Sequence, residues 1–91
     1  TSDNPRSEDP EAILDAVERG ARDAGTAASI DRVVDRHEAI VGAVATAQPD
    51  GVVLIAGKGH ETGQEFADRT IPFDDREVAA AALRASTGGD A

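Results

Sequence analysis

The chain has no cysteine, methionine, tryptophan or tyrosine, and only two phenylalanines among its 91 residues. Without cysteine it can form neither a disulfide nor a thiolate metal site, and cysteine usage says nothing about its redox compartment. The scarcity of aromatic residues leaves a core built from Ala, Val, Ile and Leu. A chain of this length forms one small domain at most, with a modest core.

Basic residues are also scarce. The chain has nine Lys and Arg residues and eighteen Asp and Glu residues, which gives a net charge of −9 and a pI of about 4.4. This balance argues against binding to nucleic acid or to anionic membranes, both of which need basic patches. The chain has no run of about eighteen apolar residues and no signal-peptide pattern, so a cytoplasmic protein is expected. No ligand spacing supports a metal site from His37, His60 and Glu61, and none is predicted.

The most informative stretch is Gly51–Glu61. Val52–Ala56 is a continuous apolar run with β-branched residues, which predicts a strand buried on both faces. The run breaks into Gly57-Lys58-Gly59-His60-Glu61, where Lys58 is the only lysine of the chain. Open α/β sheets bind ligands at the carboxyl ends of their strands, so this glycine loop is a candidate binding site. A tight turn with solvated side chains is the simpler alternative.

Three helices are predicted from their capping signals. Each begins with an aspartate followed at once by proline or three residues later by glutamate, which are helix-start patterns. The pairs are Asp9 with Pro10, Asp35 with Glu38, and Asp74 with Glu77. Gly25 is the expected end of the first helix. Residues 1–85 are expected to form the domain, and residues 86–91 a flexible tail.

Two further strand segments are predicted around these helices. Ser29–Val34 is interpreted as a short strand, and Gln64–Phe66 with Arg69–Ile71 as a hairpin. The resulting order of helix, strand, helix, buried strand, hairpin and helix indicates an α/β fold, with three helices packed on a small sheet. A strand buried on both faces needs neighbours, so one or more strands are expected before Thr1.

A second polar cluster, Asp3-Asn4-Pro5-Arg6, opens the chain. If a strand precedes Asp3, this cluster and Gly57–Glu61 both follow strands and face one crevice. The planar guanidinium of Arg6 suits a carboxylate, and Glu61 suits an ammonium group. Asn4 offers a donor and an acceptor. Together these residues predict a pocket for the zwitterionic end of an amino acid.

These motifs resemble the C-terminal domain of the Mur ligase family, and in particular the members that add meso-diaminopimelate to UDP-N-acetylmuramoyl-L-alanyl-D-glutamate. The resemblance runs over nearly the whole chain, up to about Ala85. It implies a Rossmann-like domain that is truncated at its N-terminus. The matching pieces are Ser2-Asp3-Asn4-Pro5-Arg6, Glu8-Asp9-Pro10, Asp35-Arg36, Ala39-Ile40, Val52 to Glu61, Gln64, and Phe73-Asp74-Asp75-Arg76-Glu77.

The resemblance also implies residue roles. The segment Asp3, Asn4, Pro5 and Arg6 corresponds to the family's selector for diaminopimelate, with Arg6 holding the carboxylate at the far end of that substrate. Lysine-adding relatives carry a different motif in place of Asn4 and Arg6. A surface ion pair of Arg6 with Glu8 or Asp9 is the alternative.

The glycine loop contributes the remaining contacts that the resemblance implies. Gly57 and Glu61 correspond to further contacts with diaminopimelate, and Glu61 would pair with its ammonium group. Lys58 and His60 match the family as possible supporting residues. They receive no definite role, because they could serve loop geometry as well as ligand contact.

The activity that the resemblance implies is ATP-dependent amide ligation in peptidoglycan synthesis. ATP phosphorylates the D-glutamate side-chain carboxylate of the UDP-linked acceptor, and the diaminopimelate amine displaces phosphate. ATP and Mg²⁺ would be bound mainly outside this chain, which shows no phosphate-loop pattern. The chain is therefore expected to hold no catalytic residue and to be inactive alone, as a truncated piece or one part of a split enzyme.

Two other functions remain open from the residues. The chain could be a non-catalytic α/β fragment that binds a partner chain through a truncated sheet edge. It could also be a small phosphate-binding module that uses Gly57–Gly59 and Lys58. The latter predicts nucleotide binding without any amino acid, abolished by substitution of Lys58.

Overall fold

A computed structural model describes residues 1–25 and 27–87 as three helices and one antiparallel hairpin. The elements are α1 (Pro10–Asp23), α2 (Arg36–Ala47), β1 (Gly63–Glu65), β2 (Thr70–Pro72) and α3 (Asp75–Thr87). The small α/β arrangement with three helices is confirmed. Helix α3 extends two residues into the predicted tail, and residues 88–91 lie outside the described part of the chain. None of the helices described is long and apolar enough to cross a membrane.

All three predicted helix starts are confirmed by their hydrogen bonds. Each aspartate carboxylate accepts from a backbone N–H of the first turn, which satisfies a donor that the helix itself leaves unpaired. The contacts run from the Glu11 amide to Asp9 (3.0 Å), from the Glu38 amide to Asp35 (2.9 Å) and from the Arg76 amide to Asp74 (2.9 Å). Just beyond α1, Gly25 has a φ of 70°, a conformation in which glycine avoids the strain of a Cβ.

The hydrophobic core lies between α2 and α3. The helices pack on each other through small and branched apolar side chains, and Phe73, two residues before α3, adds an aromatic ring. Buried in this core are Ile40, Val44, Phe73 and Ala82, with Ile55, Val78 and Ala79 packed against them. In the described part of the chain α1 contacts neither of these helices. The core is therefore held by two helices and one side of the 52–56 segment.

The prediction that Val52–Ala56 is a strand buried on both faces is wrong for this chain. The segment has no strand partner among the described residues, and burial alternates along it. Val53 and Ile55 are half-buried, whereas Val52 is 94% and Leu54 89% exposed. Alternating burial is the period of extended backbone. The apolar run is therefore extended but packs on one face only, because no other described segment lies beside it to pair with its backbone.

The predicted strand Ser29–Val34 is also absent. The Val34 carbonyl accepts from the Ser2 amide (3.3 Å) and the Thr1 hydroxyl (3.1 Å), rather than from a neighbouring strand. Arg32 instead reaches α1, where it donates to the carboxylate of Asp15 (2.6 Å) and the carbonyl of Glu11 (2.8 Å). Polar contacts of Arg32 thus attach this segment to α1.

The predicted hairpin is confirmed, with its strands shifted by one residue. Gln64 lies opposite Ile71, and the flanking pairs are Gly63 with Pro72 and Glu65 with Thr70. In the described residues the single parallel pairing is an isolated bridge between Arg6 and Phe66, so no parallel Rossmann-like sheet is observed. That bridge places the opening segment of the chain beside the turn of the hairpin, where the Phe66 amide donates to the Arg69 carbonyl.

The start of α3 predicts a dependence of stability on acid. The side-chain hydrogen bond from Arg76 lowers the pKa of Asp74 below its ordinary value of about 4. A carboxyl whose pKa is lower in the folded state contributes stability above the unfolded pKa, and this is lost as pH falls through the folded pKa. We expect the free energy of unfolding in urea, followed by circular dichroism, to decrease below about pH 4. Asp74→Asn should flatten this dependence, and an unchanged slope would contradict the assignment.

Candidate functional site

The structure brings the two predicted polar clusters together. The Lys58 ammonium lies 3.0 Å from Asp3 Oδ1, and it donates to Asn4 Oδ1 at 3.1 Å. A Cβ placed on Gly57 would lie 3.4 Å from Asp3 Oδ2, so this glycine sits directly against the aspartate. The segment Asp3–Arg6 and the loop Gly57–Glu61 therefore form one site, although within the described residues neither follows a paired strand.

Lys58 is the buried centre of this site. Its side chain is 0% exposed, and its ammonium also donates to the Gly63 carbonyl at 2.7 Å. The Phe73 ring centroid lies 6.0 Å away. The contact with Asp3 is an ion pair without hydrogen-bond alignment, since the nearer carboxylate oxygen accepts no hydrogen bond. The ammonium is thus committed to protein oxygens and does not face solvent, which argues against the phosphate-binding alternative.

The side-chain amide of Asn4 is held through its oxygen. Its Oδ1 accepts from Lys58 and from the Glu65 amide at 2.9 Å. Because both neighbours are donors, they determine which end of the side-chain amide is the oxygen. The oxygen is thus engaged inside the protein, whereas Nδ2 of this half-buried residue has no partner among the described residues. The sequence predicted that Asn4 would offer a ligand both a donor and an acceptor. In the structure its acceptor is already engaged, so that only its donor is unpaired.

Arg6 is held with its guanidinium in the open. Its φ is 53°, a left-handed conformation that is unfavourable for a residue with a Cβ. Its backbone amide donates to the Glu65 carbonyl at 2.9 Å, and its Nε donates to the Glu65 carboxylate at 2.9 Å. The side chain is 64% exposed, and its two terminal nitrogens have no partner within the described residues. The alternative pairing with Glu8 or Asp9 is not observed.

Pro5, just before Arg6, is buried, and its carbonyl accepts from the Glu8 amide at 3.0 Å. This turn fixes the direction in which the chain leaves the site. Pro5 therefore shapes the segment while its own side chain faces the protein interior.

The other loop residues lie at the surface. Glu61 and His60 are exposed, and no side-chain partner of Glu61 occurs in the part of the chain that is described. The Glu61 amide donates to the Lys58 carbonyl at 3.1 Å, which closes a turn. The turn passes through Gly57 (φ 110°) and Gly59 (φ 60°), where a side chain would strain the backbone. The structure thus places Glu61 on the same loop as Lys58 without a contact to Arg6.

Arg36 is a second buried cation, and sequence reasoning gave it no role. Its guanidinium donates to both Asp75 carboxylate oxygens at 2.8 Å, to the Ser2 carbonyl at 3.0 Å and to the Ala56 carbonyl at 3.0 Å. The hydrogen bond with Asp75 raises the pKa of Arg36 further above its ordinary value. Ser2 directly precedes Asp3, and Ala56 directly precedes Gly57. Arg36 therefore fixes the start of both polar clusters against α3.

Two concavities adjoin the site. The larger, of about 860 Å³, lies between α2 and residues 52–56 and is not lined by the predicted binding residues. Its apolar lining includes the side chains of the segment 52–56. The smaller, of about 220 Å³, lies between the opening segment and α1 and is lined by Asn4, Arg6 and Leu14 among others. The segment Asp3–Arg6 thus lines the smaller concavity, and the loop Gly57–Glu61 does not.

Comparison with known protein families gives a match to the family described as Mur ligase, glutamate ligase domain, over residues 1–59. The chain belongs to the Mur ligase family. The resemblance inferred from the motifs is confirmed, and the match includes Asp3–Arg6 and reaches Gly59, near the end of the glycine loop.

Several curated Mur ligases are similar to most of the chain. Proteins named UDP-N-acetylmuramoyl-L-alanyl-D-glutamate–2,6-diaminopimelate ligase from Halalkalibacterium halodurans and Geobacillus thermodenitrificans are 52% and 55% identical over 84 residues, or 92% of this chain. The protein of that name from Streptomyces coelicolor is 49% identical over 90 residues, or 97% of the chain. The chain spans only 16% to 18% of the length of these relatives.

The ATP and Mg²⁺ that the family implies do not fit the described residues. Lys58, the cation of the glycine loop, is engaged with protein oxygens. No group of three metal-binding side chains converges in the part of this Mur ligase chain that the structure describes.

Proposed function

We propose that the chain is the acceptor-amino-acid-binding part of an ATP-dependent ligase of peptidoglycan synthesis in the cytoplasm. The ligase adds meso-diaminopimelate to UDP-N-acetylmuramoyl-L-alanyl-D-glutamate, and residues 1–85 belong to its C-terminal domain. The observation that carries this proposal is that the exposed guanidinium of Arg6 and the unpaired Nδ2 of Asn4 belong to residues that line the same concavity. Relatives about 50% identical over most of the chain carry the name of this ligase.

The site chemistry matches the far end of diaminopimelate, which carries a carboxylate and an ammonium group. Arg6 and Asn4 offer only donors, which suits the carboxylate, and the free carboxylate of Glu61 suits the ammonium. Gly57 lets the ligand approach the loop backbone. L-Lysine lacks the distal carboxylate, so it would leave the donors of Arg6 and Asn4 without a partner. A site built to hydrogen-bond a group rejects an analogue that lacks it.

In the proposed reaction this chain positions the incoming amine. The other amino group of diaminopimelate attacks the acyl phosphate of the D-glutamate side chain, forming the amide and releasing phosphate. Holding the amine in reach converts a bimolecular step into an effectively unimolecular one. ATP and Mg²⁺ are bound by parts of the ligase outside this chain, and the chain contributes no catalytic residue.

The proposal is tested by calorimetric titration with meso-diaminopimelate and, separately, L-lysine. The titrations use the 91-residue chain and a chimeric ligase, defined as the Halalkalibacterium halodurans relative whose 84 matching residues are replaced by those of this chain. We expect the chimeric ligase to bind and use diaminopimelate but not lysine. Equal use of both amino acids by a folded chimeric ligase would overturn the proposal.

We further propose that residues 52–56 join a parallel, Rossmann-like sheet in the complete ligase. The exposed side chains of Val52 and Leu54 support this, since they form an uncovered apolar face on an extended segment. The same observation favours a second candidate function, in which this face binds a strand of a separate partner chain.

A pair of lysine substitutions distinguishes a sheet within the complete ligase from a separate partner chain. The isolated chain is expected to self-associate in analytical ultracentrifugation, and Val52→Lys with Leu54→Lys should make it monomeric. Val17→Lys, at another exposed valine, should not. In the chimeric ligase the same pair should destabilise folding if the ligase's own sheet covers the face. A fully stable and active double variant would favour the separate partner chain.

A further inference from the structure

We propose that Lys58 is a positioning residue for the recognition of diaminopimelate. The inference rests on the proposed function. Lys58 does not touch the ligand, because its side chain is fully buried. It acts by holding the side chains of Asp3 and Asn4, so that Asn4 can only donate toward the site.

The contacts of Lys58 join the three segments that build the site. Two of its three oxygen partners belong to the selector segment, Asp3 and Asn4, and the third is the carbonyl of Gly63 at the start of β1. Strand β1 carries Glu65, whose main chain and carboxylate hold Arg6. One ammonium therefore connects the glycine loop, the selector segment and the hairpin that supports Arg6.

The ammonium group of Lys58 is fully buried. A buried ammonium is costly unless oxygens replace its hydration, so its partners must stay in place for the charge to be tolerated. The same low-dielectric surroundings strengthen its hydrogen bonds. The buried charge thus fixes the orientation of Asn4 more firmly than a solvent-exposed lysine would.

Lys58 also affects the preference for diaminopimelate over lysine. Lys58 and the Glu65 amide together saturate Asn4 Oδ1. Without Lys58, Oδ1 has one donor left, and the side-chain amide gains freedom to turn its oxygen toward the ligand. An outward oxygen would accept from an ammonium and disfavour a carboxylate. Loss of Lys58 should therefore weaken the preference for diaminopimelate over lysine, which a general loss of stability would not do.

The test uses the chimeric ligase and the variant Lys58→Met, which keeps the length of the side chain without its charge. We expect the KM for meso-diaminopimelate to rise about 10- to 100-fold, with kcat and the KM for ATP within about twofold. The ratio of kcat/KM for diaminopimelate to that for lysine should fall. An unchanged KM for diaminopimelate, or equal changes for all substrates, would overturn the inference.

Two further variants keep the inference testable if Lys58→Met does not fold. Asn4→Asp retains oxygens for Lys58 but replaces the outward donor by an acceptor, so it should stay folded and raise the KM for diaminopimelate. Normal diaminopimelate use by this variant would overturn the inference. In a double-mutant cycle, Asn4→Ala with Lys58→Met should discriminate between diaminopimelate and lysine no worse than Asn4→Ala alone, because Lys58 affects this selectivity through its contact with Asn4. If the two substitutions instead reduce this selectivity independently, so that their effects multiply, the inference is also overturned.

Failure of the proposed function gives a different result. In that case the unmodified chimeric ligase does not discriminate between diaminopimelate and lysine, and Arg6→Ala changes nothing. If Arg6→Ala raises the KM for diaminopimelate while Lys58→Met and Asn4→Asp do not, only the role of Lys58 is wrong. Arg69→Ala, a matched control at an exposed arginine paired with Asp68, should behave like the unmodified chimeric ligase.

Discussion

Replacing Arg6 with alanine is expected to raise the Kd of the chimeric ligase for meso-diaminopimelate by about 10- to 30-fold. A hydrogen bond to a charged group contributes roughly 1.5–3 kcal/mol, and each 1.4 kcal/mol is tenfold in affinity. The Arg6 side chain is 64% exposed, so solvent screening reduces its effect and the upper part of that range is not expected. Affinity for L-lysine should stay within about twofold, because lysine has no distal carboxylate for this arginine to hold.

Isothermal titration of the two amino acids measures this selectivity directly. Arg69→Ala removes another exposed arginine from a local ion pair and should alter neither affinity. Glu65→Gln should retain diaminopimelate binding, since the side-chain oxygen of glutamine can accept the same hydrogen bond from Nε of Arg6. Equal losses for both amino acids in Arg6→Ala would show that Arg6 supports the loop rather than selecting the ligand.

Replacing Asp75 with alanine is expected to lower the free energy of unfolding of the 91-residue chain by about 3–5 kcal/mol. Breaking a buried ion pair leaves one charge without compensation, and losses of this size are typical. Arg36 would remain buried with only the Ser2 and Ala56 carbonyls as partners. A domain of this length has a stability of roughly 5–14 kcal/mol, so the loss is a large fraction of the total.

Urea unfolding followed by circular dichroism measures this effect. Arg36→Met combined with Asp75→Ala should be less destabilised than the sum of the two single variants, because the double variant buries no lone charge at this position. Asp68→Ala removes an exposed ion pair and should change stability by less than about 1 kcal/mol. Comparable losses in Asp75→Ala and Asp68→Ala would contradict the role assigned to the Arg36–Asp75 pair.

The local elements could be predicted from particular residues. Asp9, Asp35 and Asp74 each mark a helix start because a short carboxylate satisfies first-turn amides wherever it occurs. The hairpin was predicted to within one residue because its two strands lie close together along the chain. The candidate site was found as two clusters, and the structure places them in contact.

The predictions of strands at Ser29–Val34 and Val52–Ala56 were wrong for this chain. A run such as Val52–Ala56 encodes a preference for extended backbone and apolar surroundings, but its partners must come from elsewhere. Among the described residues those partners are absent, so Val52 and Leu54 face outward. The roles of Arg36 and Lys58 were missed for a related reason, since nothing in the order of residues indicates which cation will be buried.

By itself, the sequence determined the three helix starts, the hairpin, the two polar clusters and the family to which the chain belongs. These depend on side chains acting on backbone a few residues away, or on motifs in a fixed order. Only the tertiary structure decided which groups remain available to a ligand. Burial commits Lys58, Arg36 and the oxygen of Asn4 to internal partners, while the guanidinium of Arg6 and the carboxylate of Glu61 stay exposed, because long-range packing determines which polar groups lose water.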